Sequence, residues 1–196
     1  MGNRLSKIYT RTGDNGTTGL AGGLRVSKDS LRMQSIGDID ELNSMLGVVV
    51  NKCPSEELSA RLRENIVSIQ HDLFNLGGQL AMPDYEVLNQ QRTDWLEESL
   101  DQMNEKLTPL KEFILPGGAE SACFCNMART ICRRAERSLV ALNKEAPVSA
   151  YMLSYINRLS DWLFIASRIL NKVEGEAEVY WQSERLKTLE KQRTPK

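Results

Sequence analysis

Histidine is nearly absent: His71 is the single one in the chain. That scarcity excludes histidine-rich metal sites, including the di-iron helical bundle, which needs two Glu-x-x-His motifs. In the setting Gln70-His71-Asp72, on a stretch of helical spacing, His71 reads as a structural hydrogen-bonding residue. It supports no Ser-His-Asp or Cys-His constellation. Aromatic residues make up 6% of the chain and are not interleaved with basic ones, so single-strand nucleic-acid binding is not expected. The net charge of −1 gives no attraction to nucleic acid or to an anionic membrane, and any basic site must be a local concentration of charge. No apolar run approaches the length of a membrane span. The opening Met1-Gly2-Asn3-Arg4-Leu5 lacks an apolar h-region, so no signal peptide and a cytoplasmic location are expected. The four cysteines, Cys53, Cys123, Cys125 and Cys132, make neither a CxxC pair nor an extracellular framework, which favours reduced thiols.

What the chain has instead is helical periodicity. At 196 residues it supports one sizeable domain. Residues 31–37 look short and extended. Asp38 with Glu41 three residues on has the form of an N-terminal cap, opening a first helix that runs to about Asn51. A second follows Ser55 with Leu58, Leu62, Ile66, Ile69, Leu73 and Leu76, and stops before Pro83. Thr93 can cap a third, bearing Trp95, Leu96, Leu100 and Met103. A fourth spans about residues 119–143, and a fifth, apolar on much of its surface and therefore central, runs from about Ser149 to Val173. The expected fold is all-α, a five-helix bundle over residues 38–173. A Gly/Thr-rich N-terminal loop over 1–28 precedes it, and a tail from 174 to 196, polar apart from Val179, Tyr180 and Trp181, follows it.

The fourth helix carries the densest chemistry. At about 100° per residue, Arg129, Arg133 and Arg137 share one narrow stripe, with Glu136 at its edge. Beside it Cys125, Ala128, Cys132, Ala135, Leu139 and Leu142 form an apolar seam able to face a core. Like charges at i and i+4 oppose helix formation by a few tenths of a kcal/mol per pair. The stripe therefore suits an anion, a partner carboxylate or both; a solvated basic face is the plain alternative. The N-terminal loop, Thr10-Arg11-Thr12-Gly13-Asp14-Asn15-Gly16-Thr17-Thr18, offers backbone N–H groups, hydroxyls and, with Lys28, cations to a polyphosphate. It is neither GxxxxGK[ST] nor GxGxxG, and a flexible tail is its alternative. Asn157-Arg158-Leu159-Ser160-Asp161 interrupts the apolar fifth helix, as the wall of a site or as inter-helix hydrogen bonding. Phe113-Ile114-Leu115-Pro116-Gly117-Gly118 is either a pocket lip or a plain connection.

Taken together, Thr10 to Thr18, Gly37 with Asp40-Glu41-Leu42-Asn43-Ser44, Leu115-Pro116-Gly117-Gly118, Ala128 to Arg137 and Asn157 to Asp161 resemble the PduO-type ATP:cob(I)alamin adenosyltransferases, in family order over about residues 8–170. The resemblance implies a homotrimer of five-helix bundles with active sites between subunits. It implies transfer of the 5′-deoxyadenosyl group of ATP to cob(I)alamin, giving adenosylcobalamin and triphosphate. Thr10, Arg11, Thr12, Gly13, Asp14, Thr17, Thr18 and Lys28 would wrap the nucleotide, completed by Arg133, Arg134, Glu136, Arg137 and Asn157. Arg129 would pair with Asp40 of a neighbouring subunit, and these two with Arg133 form the implied catalytic set. Phe113 would press on the lower face of the corrin. No protein metal ligand is implied; Mg²⁺ would bridge the phosphates through phosphate oxygens and water. A cobalamin reductase and an acceptor mutase are the candidate protein partners. The family often has histidine at the position of Asn126, an acidic residue at Gln34 and threonine at Asp38.

The residue chemistry suits such a reaction. Cob(I)alamin is itself a strong nucleophile, so the protein need supply only alignment and charge stabilisation of the leaving triphosphate. Two other readings stand beside it: a non-catalytic helical ATP-binding or docking protein, and a conventional phosphotransferase.

Overall fold

The computed structural model describes residues 8–82 and 85–183. The expectations for Met1 to Leu5, for Pro83 and for the tail beyond residue 183 lie outside these. Five helices carry the fold: α1 (Leu31–Lys52), α2 (Glu57–Ala81), α3 (Gln90–Asn104), α4 (Glu120–Glu145) and α5 (Ala150–Val173). They are preceded by a two-stranded antiparallel hairpin, β1 (Thr17–Gly19) with β2 (Arg25–Ser27), turned by a short 3-10 segment at Ala21–Gly23. The all-α bundle is as the periodicity requires; the hairpin is the strand content that the Gly/Thr loop concealed. No helix among the described residues is long and apolar enough to cross a membrane.

Two helix starts differ from expectation. α1 begins at Leu31, behind Ser30, whose hydroxyl accepts from the Met33 N–H at 3.5 Å. Asp38 is thus inside the helix and caps nothing. Its carboxylate accepts hydrogen bonds from Arg134 Nε (3.1 Å) and Ser138 Oγ of α4, and Arg134 Nη2 also donates to Glu41. An i, i+3 acidic pair has the spacing of a capping box and equally the spacing of one helix face; here the second reading wins. Likewise Thr93 lies within α3, 3% exposed, with its hydroxyl 3.4 Å from Ser154 Oγ of α5. Asn89 stands at the cap position instead.

In space the helices run α2–α1–α4–α5–α3, each packed on the next. α5 is central, with Met152, Ile156, Leu159, Trp162, Leu163, Ala166 and Ile169 all buried. The α4 seam is as expected: Cys125, Ala128, Cys132, Ala135 and Leu139 are wholly buried. Small side chains here bring the two helices close enough for Cys125 and Cys132 to donate to the α5 carbonyls of Leu163 (3.3 Å) and Ile156 (3.2 Å). Burial pushes both thiols well above the usual cysteine range, so they remain thiols that pack as small apolar groups. The open side of the ring is closed by Asp72 of α2. It accepts from Arg92 of α3 in a fork (2.9 and 3.0 Å to Nε) and from the Tyr155 hydroxyl of α5 at 2.8 Å. Asp72 is 6% exposed, so these partners offset the cost of burying its charge. His71, one residue earlier, is exposed on α2, and no hydrogen bond among the described residues holds it, contrary to the structural role expected.

Candidate active site

The connection from α3 to α4 is bound to the bundle at several points. Gly118 has φ +97°, a conformation that favours glycine, and a Cβ there would lie 2.2 Å from Asn171 Oδ1. Asn171, on α5, uses that closeness: its Oδ1 accepts from the Ala119 N–H (2.9 Å), and its Nδ2 donates to the Gly117 carbonyl (3.1 Å). The second glycine of Pro-Gly-Gly is therefore required by the clamp. Upstream, residues 113–115 form a short antiparallel bridge with residues 179–181. Leu115 N–H donates to the Val179 carbonyl (2.8 Å) and Trp181 N–H to the Phe113 carbonyl (2.7 Å). The segment from residue 174 that reads as a polar tail is thus anchored on this strip through Val179, Tyr180 and Trp181.

Phe113 stands out from the strip, 75% exposed, at the mouth of a cavity of about 670 Å³. Arg129, Arg133, Ser160, Asp161 and Phe164 line the same space. Behind the strip lies a second cavity of about 250 Å³, between Pro116, Gly117, Asn126, Arg129 and Ser167. Arg129 borders both, and its Nε is buried without a partner among the described residues. A buried, unpaired guanidinium N–H is costly.

The arginine helix divides. Arg133 is exposed and joins no ion pair among the described residues, and Arg137 donates only to the Arg133 carbonyl at 3.0 Å. Arg134, one position on, faces α1 and spends Nε and Nη2 on Asp38 and Glu41. Glu136 accepts from Asn157 Nδ2 at 2.7 Å, which ties α4 to the polar interruption of α5. Arg158 of that interruption turns to Glu97 (2.8 Å) and Asp161 (2.9 Å). The alternatives left open for it therefore both occur: Arg158 makes inter-helix bonds, while Ser160 and Asp161 line the cavity.

The Gly/Thr loop is ordered by its own residues. Arg25 donates to the Thr12 carbonyl (2.6 Å) and to Thr17 Oγ1 (2.5 Å), and Lys28 N–H donates to the Gly16 carbonyl (2.9 Å). Lys28 Nζ lies where a side chain on Gly13 would be, 3.1 Å from an ideal Cβ, so cation and glycine backbone adjoin. Thr10 and Thr12 hydroxyls are 2.9 Å apart, and Arg11 has φ +58°. Thr10, Arg11, Thr12 and Asp14 are exposed. Among the described residues no hydrogen bond or ion pair joins this hairpin to Arg133 or Arg137. Asp40 is also apart from Arg129 within the chain. It borders an apolar groove of α1 and α2 formed by Ile36, Ile39, Leu73 and Phe74, where Phe74 is 74% exposed.

The structure therefore gathers Phe113, Arg129 and Arg133 at one cavity, sets Glu136 and Asn157 in contact, and leaves the hairpin and Asp40 elsewhere. Sequence reasoning did not find Arg25, Asn171, Arg168 or Glu178. Only Gly118, in a Pro-Gly-Gly turn ahead of a helix, carried a signal of that clamp.

Both the sequence and the fold are matched among known proteins. The family described as Cobalamin adenosyltransferase matches residues 8–170. A cobalamin adenosyltransferase of Cupriavidus metallidurans is 49% identical over 185 residues, covering 94% of this chain and 99% of that protein. A corrinoid adenosyltransferase of Bacillus subtilis is 43% identical over 180 residues, covering 90% and 92%. Among solved structures, a variant of the PduO-type ATP:corrinoid adenosyltransferase from Lactobacillus reuteri, complexed with cobalamin and ATP, superposes with a TM-score of 0.85 at 36% identity. It is matched over 90% of this chain and all of its own. This chain belongs to the cobalamin adenosyltransferase family. It is an enzyme of the corrinoid adenosyltransferase kind.

Proposed function

We infer that the 670 Å³ cavity bordered by Phe113 receives the corrin and that the arginine face of α4, together with the hairpin, receives the triphosphate of ATP. The reaction moves the 5′-deoxyadenosyl group of ATP to the cobalt of reduced cobalamin, forming adenosylcobalamin and releasing triphosphate. One observation carries the assignment: Phe113, Arg129 and Arg133 border one 670 Å³ space, so an apolar ring and two guanidinium groups converge there. Cobalt(I) attacks the 5′ carbon of ATP, the bond from that carbon to the phosphate oxygen breaks, and both of its electrons leave with triphosphate. Arg133 and Arg137, with the N–H groups and hydroxyls of Thr10, Arg11, Thr12, Gly13, Asp14, Thr17 and Thr18 and the Lys28 ammonium, stabilise that leaving charge. Glu136 and Asn157 fix each other beside it, and Arg134 has Nη1 left for phosphate. Phe113 offers cobalt an apolar face in place of a lower ligand, and cobalt(II) without that ligand is easier to reduce.

A homotrimer with sites between subunits is supported by what a single chain leaves open. The Arg129 Nε is buried and unsatisfied, Asp40 has no ion-pair partner among the described residues, and the exposed Phe74 beside it belongs to an apolar groove. Arg129 with the Asp40 of a neighbouring subunit answers the first two. Mg²⁺ would take phosphate and water oxygens, as that ion prefers; among the described residues no three carboxylate, thiol or imidazole groups gather to cage it. A cytoplasmic location fits the free thiols of Cys53, Cys123, Cys125 and Cys132. A reductase delivering the electron and a mutase accepting the product are the protein partners proposed.

The test is the corrin absorption spectrum on mixing the protein with ATP and reduced cobalamin, with the inorganic product analysed in parallel. Adenosylcobalamin with triphosphate is expected. ATP binding with no spectral change would contradict the reading, and diphosphate as product would indicate phosphoryl transfer. For Phe113→Ala, adenosylation starting from cobalt(II) is expected to fall roughly tenfold or more, a loss equivalent to about 1.4 kcal/mol of transition-state stabilisation. Equal loss when starting from pre-reduced cobalt(I) would remove the lower-face role.

A further inference from the structure

An exposed phenylalanine on a connection needs something else to fix it, because little of its own surface is packed. For Phe113 that support is the strand at 179–181. The Phe113 carbonyl accepts from Trp181 N–H at 2.7 Å, and the Phe113 ring meets the Trp181 ring edge-on, with centroids 6.3 Å apart and planes at 61°. Where residues 179–181 lie, Phe113 lies. That strand in turn is tied down one residue earlier, at Glu178. Its carboxylate is gripped by both arms of Arg168: Nε donates to Oε1 at 2.6 Å and Nη2 to Oε2 at 3.1 Å. Arg168 belongs to α5 and is 3% exposed. The same Nη2 donates to the Thr108 carbonyl at 2.8 Å, on the other flank of the connection. One buried cation therefore holds both the approach to the Phe113 strip and the strand paired with it.

Packing alone does not call for this arrangement, since apolar residues fill such a place at equal or lower cost. A two-armed arginine fork supplies direction: it fixes its carboxylate in distance and in plane. We propose that the Arg168–Glu178 fork is a positioning element for the reaction, holding strand 179–181 so that Trp181 and the Phe113 carbonyl set the depth of the Phe113 ring in the corrin cavity. Neither Arg168 nor Glu178 touches the reacting atoms; both act through Phe113. The proposal rests on the reading of Phe113 as the group facing the lower side of cobalt.

The experiment measures the four-coordinate cobalt(II) signal of cobalamin by electron paramagnetic resonance, in the presence of protein, ATP and Mg²⁺. Wild type, Phe113→Ala, Glu178→Ala, Glu178→Gln and Trp181→Leu are compared, and the KM for ATP is taken for each. Glu178→Ala is expected to lower the four-coordinate fraction roughly tenfold, the equivalent of one charge-assisted hydrogen bond, and to leave the KM for ATP within about twofold. Glu178→Gln keeps the shape and one acceptor, and should fall between it and wild type. Trp181→Leu, which leaves the fork intact, should lower the signal as well, and it serves as the test should Glu178→Ala fail to fold. Loss of the signal in Phe113→Ala with a full signal in Glu178→Ala, or in Trp181→Leu where that stands in, would overturn the positioning role. A KM for ATP that rises in step with the loss of signal would overturn it too, by revealing general disorder. A full signal in Phe113→Ala would instead overturn the reading of Phe113, and the positioning role would fall with it.

Discussion

The two segments proposed to carry the site are held in opposite ways. The Phe113–Gly118 strip is bound to the body of its own chain at every step: Asn171 clamps its end, strand 179–181 pairs with its middle, and Arg168 fixes its flank. The Gly/Thr hairpin bonds mainly to itself, through Arg25, Thr17 and Lys28. The difference teaches where preorganisation is provided. On the proposed function, the corrin side would be built by folding one chain, whereas the nucleotide side would be finished by the ligand and a second subunit.

The contrast yields graded expectations. Arg133→Ala should have the largest effect, a loss of roughly 100-fold or more in kcat/KM, the size found for removing one preorganised donor from developing charge. Because Arg133 is exposed and unpaired among the described residues, thermal unfolding should move by no more than about 0.5 kcal/mol equivalent. Gly118→Ala attacks the prebuilt side instead. A Cβ 2.2 Å from Asn171 Oδ1 at φ +97° must displace the clamp, at about 2–3 kcal/mol, measurable by urea unfolding, with ATP affinity little changed. Arg134→Ala sharpens the difference between two adjacent arginines. It leaves Asp38, a side chain only 13% exposed, short of its cation, so stability should fall by about 1–2 kcal/mol while activity falls less than in Arg133→Ala. An unstable Arg133→Ala beside a stable Arg134→Ala would reverse the assignment of the two. Smallest is Lys28→Ala, on the hairpin. It should raise the KM for ATP by a few-fold, roughly one exposed charge-assisted contact, and leave the unfolding midpoint in place.

Much of this was legible in the sequence because it rests on periodicity. The α4 seam of Cys125, Ala128, Cys132 and Leu139 is buried as its spacing requires, and α5 is central for the same reason. The start of α1 was not legible, because Asp38 and Glu41 have a spacing that serves a cap and a helix face alike, and only the position of Arg134 nearly a hundred residues later decides between them. Nor was the anchoring of the tail: Val179, Tyr180 and Trp181 announce burial, but not against what. Arg168 within the apolar α5 was the neglected signal, since a cation in a buried stripe demands a carboxylate, and Glu178 lies just beyond the helix end. The residues that the resemblance implies for the site were legible as types, whereas the proposed division of them between one subunit and the next depends on assembly.

That division is what most needs a measurement. Two impaired variants, Lys28→Ala combined with Thr12→Ala on the hairpin and Arg133→Ala on α4, are unfolded together, refolded as a mixture and assayed for adenosylcobalamin formation at an ATP concentration well below the raised KM of the hairpin variant. With sites built from the hairpin of one subunit and the arginine face of its neighbour, mixed assemblies contain some sites with both halves intact, and activity well above that of either variant alone is expected. A mixture no more active than its components, in assemblies verified to be mixed, would contradict a shared site.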